Sequence, residues 1–169
     1  NESNRKDFIE RNKLKFLRDY QLKAVRSVQN STKEGNDRFL LEMATGTGKT
    51  LTSSAIIKMF LRLYKVNRVL FLVDRLELET QAWREFNEVL QNDFETVIWK
   101  EHKTDWMRAE IVISTVQSFI SKNKYKTIFN HDDFDLVISD EAHRSLGARS
   151  RRVFEYFNGF KLGLTATPK

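Results

Sequence analysis

The chain has 169 residues, which is enough for one hydrophobic core and too few for two full α/β domains. Hydrophobic residues make up 40% of it, which excludes an intrinsically disordered chain, and the lack of cysteine excludes disulfides and cysteine-based zinc sites. The formal net charge of +6 favours an anionic partner such as a nucleic acid, with an ordinary basic surface as the alternative.

Short apolar runs alternate with helical patterns along the chain. The predicted helices span residues 19–29, 49–63 and 76–90, and the predicted strands span residues 39–43, 68–73, 96–99, 111–114, 135–139 and 160–165. The strand runs are continuously apolar, which indicates burial on both faces. We therefore expect an α/β fold with a mainly parallel sheet, helices on both faces, and ligands at the carboxyl ends of the strands.

The two ends of the chain and its apolar runs suggest where the protein works. No apolar run is long enough to cross a bilayer, and the polar start lacks the apolar segment of a secretory signal. We expect a cytoplasmic protein without a membrane partner. Because the chain has no initiating Met and stops directly after an apolar strand pattern, we also expect residues 1–169 to be one domain of a longer protein.

A glycine-rich loop lies between the first predicted strand and the second predicted helix. Residues 43–50 read MATGTGKT. The glycines let backbone N–H groups point at a polyphosphate, and the following helix adds the positive end of its dipole. Lys49 would then reach the β- and γ-phosphates and Thr50 would ligate Mg²⁺. The generic pattern has Gly or Ala at the position of Met43, so an ordinary glycine turn is the alternative. The residues predicted to bind the nucleotide here are Thr45, Gly46, Thr47, Gly48, Lys49 and Thr50.

Two carboxylates follow the apolar strand near residue 138. In a P-loop enzyme the first acid after such a strand holds Mg²⁺ and the second polarises the attacking water, so Asp140 is the predicted metal ligand and Glu141 the predicted general base. Acids at strand ends also occur as solvated turn residues, but hydrolysis needs both halves of the site. His143 is predicted to face the γ-phosphate or to connect this site to the next motif. We interpret His102 and His131 as ordinary surface residues.

These motifs resemble, in order, the first RecA-like motor domain of superfamily 2 helicases and translocases that carry a DEAH box. Residues 17–21 (LRDYQ) resemble the adenine-recognising element, which implies nucleotide contacts for Arg18 and Gln21. Residues 71–81 (FLVDRLELETQ) and 114–118 (STVQS) resemble the elements that touch the nucleic-acid backbone. Residues 162–168 (LGLTATP) resemble the motif that couples hydrolysis to strand movement, which implies catalytic roles for Thr165 and Thr167.

Within that superfamily, the combination of MATGTGKT, VDRLEL, DEAHRS and GLTATP is most similar to the motor subunit of type I restriction enzymes. Type III restriction subunits and excision-repair helicases are close neighbours, and DEAD-box RNA helicases fit less well because they carry Asp in place of His143. The resemblance implies ATP and Mg²⁺ as cofactors, double-stranded DNA as the track, and an arginine finger from a second RecA-like domain of the same protein. It also implies specificity and methylation subunits as partners in a restriction complex.

Motor proteins of this kind hold the phosphate backbone rather than the bases. Four residues follow strand ends on the same edge of the predicted sheet as the phosphate loop, and we predict that they contact nucleic acid: Arg75, Thr115, Gln117 and Ser118. Arg75 has an alternative role in an ion pair with Glu77 or Glu79. Two basic clusters are either solvated faces or further nucleic-acid contacts, namely Arg144, Arg149, Arg151 and Arg152, and Lys122, Lys124 and Lys126.

The sequence thus predicts the ATP-hydrolysing motor domain of a DNA translocase or helicase from a restriction enzyme. A repair-type or RNA helicase motor domain is the alternative. A P-loop kinase or small-molecule ATPase is a less favoured reading, because it leaves the strand-contacting motifs unexplained. A non-catalytic docking domain is disfavoured because Lys49, Asp140 and Glu141 are all present.

Overall fold

A computed structural model describes residues 17–43, 48–140 and 147–166. The strands in these ranges form one sheet in which every neighbouring pair is parallel, in the order β1-β6-β5-β2-β4-β3. The predicted parallel α/β sheet is confirmed, and each strand lies within two residues of its predicted bounds. The strands are β1 (Arg38–Glu42), β2 (Val69–Val73), β3 (Thr96–Ile98), β4 (Ile111–Thr115), β5 (Leu136–Asp140) and β6 (Phe160–Thr165).

Helices connect the strands and cover both faces of the sheet. The two helices predicted at residues 49–63 and 76–90 have those bounds, whereas the first helix continues to Lys33 because its amphipathic pattern extends to Val28 and Thr32. Three shorter helices were not predicted. The helices are α1 (Asp19–Lys33), α2 (Lys49–Leu63), α3 (Leu76–Leu90), α4 (Val116–Ile120), α5 (Tyr125–Ile128) and α6 (Gly147–Tyr156), with 3-10 turns at Trp99–Glu101, Trp106–Arg108 and Ser121–Asn123.

Two hydrophobic clusters fill the two sides of the sheet. The first face packs against α1, α2 and α3 through side chains such as Phe60, Phe71 and Phe86, and the rings of Phe71 and Phe86 meet edge to face at 4.9 Å. The second face packs against α4, α5 and α6 through an aromatic cluster that includes Phe119 and Phe157. Burial on both sides explains why β2 reads as a continuous apolar run and why β4 begins with three apolar residues.

Strand β1 does not follow the expectation of burial on both faces. It lies at the edge of the sheet and its residues alternate, so that Arg38, Leu40 and Glu42 are exposed on the second face. Leu40 keeps 65% of its surface exposed. The neighbouring strand β6 carries a charged residue, Lys161, that is only 6% exposed. The sequence did not predict that this lysine would be buried.

No helix within the described ranges is both long enough and apolar enough to cross a membrane.

Candidate active site and nucleic-acid groove

The order of the strands places the predicted motifs side by side on one edge of the sheet. Because all strands are parallel, the residues after β1, β6, β5, β2 and β4 meet at the carboxyl edge. The ends of β1 and β6 are joined by a hydrogen bond from the Met43 amide to the Thr165 carbonyl, at 2.9 Å. Met43 after β1, Thr165 and Asp140 therefore occupy three consecutive positions, and the predicted nucleic-acid residues follow on β2 and β4.

The two halves of the predicted nucleotide site touch each other. Lys49 Nζ, at the first residue of α2, lies 3.3 Å from Asp140 Oδ1 at the last residue of β5. Their side chains are only 15% and 18% exposed, so the ion pair is partly shielded from water. The structure thus brings together the lysine predicted to grip phosphate and the acid predicted to hold the metal.

Helix α2 begins at a left-handed glycine and carries a run of small hydroxyl residues. Gly48 has φ 74°, a conformation that suits glycine because it has no Cβ. In the next turn Thr52, Ser53 and Ser54 are buried and donate hydrogen bonds to the carbonyls of Gly48, Lys49 and Thr50, at 2.8 to 3.1 Å. These bonds satisfy hydroxyls that would otherwise be buried without a partner, and small side chains let α2 lie close to the sheet. The sequence reading overlooked this run, although its composition is visible in the sequence.

Gln21 connects α1 to the phosphate loop. Its side chain is 3% exposed, its Oε1 accepts from the Arg18 amide at 2.8 Å, and its Nε2 donates to the Gly48 carbonyl at 3.3 Å. A glutamine predicted to read adenine is therefore held against the loop that is predicted to grip phosphate. The side chain of Arg18 is exposed at the start of α1.

The chemistry of the residues around Lys49 suits a divalent cation next to phosphate. The carboxylate of Asp140 lies 3.3 Å from the positively charged Nζ of Lys49, and Thr50 follows Lys49 directly at the start of α2. Carboxylate and hydroxyl oxygens are the ligands that Mg²⁺ prefers. The described ranges contain no cluster of three or more potential metal ligands, as is usual for Mg²⁺, which keeps several waters and takes ligands from the substrate phosphates. Thr50 and Asp140 are thus the described residues that fit this metal.

Several predicted site residues lie outside the described ranges. They are Thr45, Gly46 and Thr47 of the phosphate loop, Glu141 and His143 after β5, and Thr167 after β6. Thr165 is described. It ends β6, is buried, and donates from Oγ1 to the Ala166 carbonyl at 3.1 Å.

A groove of about 490 Å³ opens beside this site, above the ends of β2 and β4. All four residues predicted to contact nucleic acid line it together with their neighbours. The lining residues are Asp74, Arg75, Leu76, Glu77, Thr115, Gln117, Ser118 and Ser121. They meet because Val73 and Thr115 are direct partners in the register of the two strands.

Thr115 and Ser118 form the cap of α4. Thr115 Oγ1 accepts from the Ser118 amide at 3.0 Å and donates to Ser118 Oγ at 2.7 Å, and Thr115 is buried. Thr115 therefore positions the start of α4, while Gln117 and Ser118 are more accessible from the groove. Threonine is a preferred N-cap residue and Thr115 closely follows the apolar run of β4, so the start of α4 could have been found in the sequence.

Arg75 stands at the rim of the groove between two acids. Its Nε lies 3.8 Å from Asp74 Oδ1, its Nη1 lies 3.9 Å from Glu77 Oε1, and its side chain is 63% exposed. Such long, exposed contacts are weak, on the order of 0.2–1 kcal/mol. The guanidinium can therefore leave them for a phosphate. Glu79, the other acid considered as a partner of Arg75, is buried and pairs with Lys100 at 3.2 Å.

Two further polar groups have shifted pKa values. Burial, together with the nearby charge of Arg38, lowers the pKa of Lys161, whose Nζ donates to the Gly159 carbonyl at 2.8 Å. Burial raises the pKa of Tyr125 in the aromatic cluster of the second face. Neither group reaches the nucleotide residues through any contact that the structure describes.

The two histidines outside the DEAH box have local partners. His102 Nδ1 lies 3.0 Å from Asp105 Oδ1. His131 Nδ1 lies 2.5 Å from the Tyr156 carbonyl, so this nitrogen carries the proton. Their surroundings agree with the interpretation of both as surface residues.

Comparison with known proteins gives consistent results. The family model described as "Type III restriction enzyme, res subunit" matches residues 14–169. The EcoKI endonuclease subunit of a type I restriction enzyme from Escherichia coli K12 is 34% identical over 90% of the chain, and a putative ATP-dependent helicase, IRC3, from Saccharomyces cerevisiae is 30% identical over 83% of it. The chain spans 15% of the first protein and 21% of the second.

A solved structure has the same fold. It is the nuclease-deletion mutant of the Type ISP restriction-modification enzyme LlaGI in complex with a DNA substrate mimic, with a TM-score of 0.68 and 29% identity. The match covers 92% of the present chain and 18% of that chain. The RecA-like fold and the resemblance to restriction-enzyme motors predicted from the sequence are confirmed.

Proposed function

Because the chain belongs to the family described as type III restriction enzyme, res subunit, we propose that it is the first RecA-like motor domain of an ATP-dependent DNA translocase or helicase in a restriction enzyme. The observation that carries the proposal is the 3.3 Å contact between Lys49 Nζ and Asp140 Oδ1. It joins the start of α2 to the end of β5 on the same edge as the groove of Arg75 and Gln117.

In the nucleotide site, the ammonium of Lys49 lies 3.3 Å from the Asp140 carboxylate. With ATP bound, Lys49 would reach the β- and γ-phosphates, and Asp140 with Thr50 would hold Mg²⁺. The metal supplies positive charge to the phosphate oxygens when it is bound. Glu141 takes the proton of the attacking water, and His143 faces the γ-phosphate. Thr165 and Thr167 belong to the motif that couples hydrolysis to strand movement.

Gln21 gives the site its preference for adenine. Its amide bonds the Arg18 amide and the Gly48 carbonyl, so it lies beside Gly48 of the phosphate loop. To read the adenine edge, the amide uses the second lone pair of Oε1 and the second N–H of Nε2, and both of these bonds can be kept. Because Gln21 also contacts Gly48, adenine recognition is linked to the position of Gly48 at the start of α2. Arg18 adjoins Gln21 through its backbone amide.

In the groove, Arg75, Gln117 and Ser118 hold the phosphate backbone of one DNA strand, and Thr115 positions the start of α4. Arginine, amide and hydroxyl groups are typical backbone contacts and carry no base information. This composition fits a motor that moves along DNA regardless of sequence. A second RecA-like domain of the same protein supplies the arginine finger, and specificity and methylation subunits are proposed partners.

An ATPase assay on the complete protein, with and without duplex DNA, tests the proposal. We expect DNA to stimulate hydrolysis, Lys49→Ala to lower the rate about a hundredfold or more, and Arg75→Ala to raise the DNA concentration for half-maximal stimulation several-fold. Lys58→Ala is the matched control, since Lys58 lies on the same helix but pairs with Asp93 at the surface. Stimulation by RNA alone would indicate an RNA helicase. Hydrolysis unaffected by any nucleic acid would overturn the motor proposal in favour of a P-loop kinase or small-molecule ATPase.

A further inference from the structure

Five exposed cations form a band that continues from the groove across the second face of the sheet. This basic belt consists of Lys122, Lys124, Lys126, Arg149 and Arg152. Ser121 lines the groove and directly precedes Lys122, so the belt begins where the groove ends.

Helices α5 and α6 bring the two parts of the belt together. The rings of Tyr125 and Tyr156 meet edge to face at 5.2 Å, and the Tyr156 hydroxyl donates to the Lys126 carbonyl at 3.2 Å. Burial raises the pKa of Tyr125, and the positive charge of Arg152 opposes that rise. Arg149, Arg152 and Tyr156 are spaced i, i+3 and i+7, so they share the flank of α6 that faces α5.

Within the part of the chain that the structure describes, the belt cations have no carboxylate partners. Among the described residues, no ion pair or side-chain hydrogen bond involves Lys122, Lys124, Arg149 or Arg152, and Lys126 contacts only the Tyr125 ring. Some surface cations elsewhere are paired, such as Arg62 with Asp93 at 2.5 Å and Arg108 with Glu95 at 3.2 Å, whereas others within the described ranges, such as Lys23 and Arg26 on α1, are not. An array of like charges without counterions repels itself and favours an anionic partner.

The backbone at the start of the belt is in an unusual conformation. Lys122 and Asn123 have φ 55° and 56°, in the left-handed region that residues with a Cβ seldom adopt. The turn carries the chain away from α4 and into the lysine-rich segment that leads to α5. An unfavourable backbone beside a groove that is proposed to contact DNA is a reason to look for a role in binding.

We propose that the basic belt holds phosphates of the second strand of a DNA duplex whose first strand lies in the groove. The belt cations are not among the residues that line the groove, and their helices pack over the second face of the sheet rather than at its carboxyl edge. Positive charge that continues past the groove in this way suits the second backbone of a duplex, which lies roughly 6 Å across the minor groove from the first. The inference rests on the proposed function and assigns residues to the second strand of its double-stranded track.

Fluorescence anisotropy of the complete protein with a labelled single strand and with its duplex tests the belt. One variant combines Lys122→Gln, Lys124→Gln and Lys126→Gln, and its matched control combines Lys23→Gln, Arg26→Gln and Lys33→Gln on the exposed side of α1, over the other face of the sheet. A second pair compares Arg152→Gln with Arg151→Gln, which removes the same charge from the other flank of α6. All of these side chains are exposed, so thermal melting should be unchanged.

We expect the belt triple variant to weaken duplex binding about tenfold or more and to lower the slope of log K against log salt by about 0.9 for each lost phosphate contact. The affinity of the belt variant for the single strand should change less than about twofold. The α1 control should change the affinity for either probe by less than about twofold. Equal losses on single strand and duplex, or no loss on either, would overturn the inference. An effect of Arg151→Gln as large as that of Arg152→Gln would do the same.

The Arg75→Ala variant separates this inference from the function it rests on. If Arg75→Ala weakens both probes and the belt variants do not, the groove remains the DNA site and only the belt assignment fails. If Arg75→Ala changes neither probe and DNA does not stimulate hydrolysis, the motor proposal itself fails.

Discussion

A buried pair of serine hydroxyls holds α6 against the strand that ends in Asp140. Ser139 Oγ and Ser150 Oγ lie 2.9 Å apart, and the two residues are 0% and 4% exposed. We predict that Ser150→Ala will destabilise the domain, because it leaves the Ser139 hydroxyl in a dry site without its partner. The cost of such an orphaned group is about 1–3 kcal/mol.

Removing both hydroxyls should cost less than the sum of the single changes. In the double variant Ser139→Ala/Ser150→Ala no polar group remains to be satisfied, and replacement of both partners by apolar groups is close to neutral. The coupling between the two sites should therefore amount to about 1–2 kcal/mol, well above the roughly 0.3–0.5 kcal/mol found for independent sites.

Equilibrium urea unfolding followed by tryptophan fluorescence measures these energies. Trp99 and Trp106 are suitable reporters because they belong to the same hydrophobic cluster as Val153 of α6. Ser27→Ala is the control, since that serine is exposed on α1. A cost below about 0.5 kcal/mol for Ser150→Ala, or additive single and double variants, would refute the argument that this hydrogen bond lies in a dry site.

Two further changes test the nucleotide loop and the buried lysine. Gly48→Ala should lower ATP affinity in calorimetry by about tenfold or more, because Gly48 has φ 74° and an added Cβ would lie 2.4 Å from Gln21 Nε2. Gly35→Ala is the control, because Gly35 has φ 93° but an added Cβ would have no atom within 4 Å, so ATP affinity should stay unchanged. An equal loss of affinity in both variants would contradict the argument that the clash with Gln21 causes the loss. The pKa of Lys161 in the folded protein is lowered from 10.5, so just below that pH the unfolded chain binds more protons than the folded one. Lys161 therefore makes the free energy of unfolding rise as the pH increases. Urea unfolding between about pH 8 and about pH 10 should show a smaller rise for Lys161→Met than for the parent, and an unchanged slope would exclude Lys161 as its source.

The strands and the long helices could be predicted because their patterns are local. Continuous apolar runs of five residues, as in β2, indicate a doubly buried strand, and α3 carries its apolar face at helical spacing. Helix α6 escaped prediction because its first six residues read GARSRR, whose only inward-facing member, Ser150, is polar. Its burial depends on Ser139, eleven residues earlier, and no local pattern contains that pairing.

The candidate site was predictable residue by residue but not as an arrangement. Phosphate-loop and carboxylate motifs give Lys49 and Asp140 their proposed roles, yet their contact depends on β6 lying between β1 and β5, and β6 comes last in the sequence. In the same way, Lys161 reads as a surface residue until the sheet places it beside Arg38. Non-local strand order decides both outcomes.

The sheet also suggests how the two proposed sites influence each other. Strand β2 lies between β5, which ends in Asp140, and β4, which ends in Thr115, so these residues are separated by two strand spacings, or roughly 10 Å. The strand between them is fully buried and closely packed, and such a core does not deform easily. We therefore expect a change at Asp140 to reach the groove through the helices that follow the strands. The Ser139–Ser150 hydrogen bond ties β5 to α6, and α6 packs against α4, which is capped by Thr115 and carries Gln117 and Ser118. If this path carries the coupling, Ser150→Ala should weaken DNA stimulation of hydrolysis more than it weakens DNA binding itself.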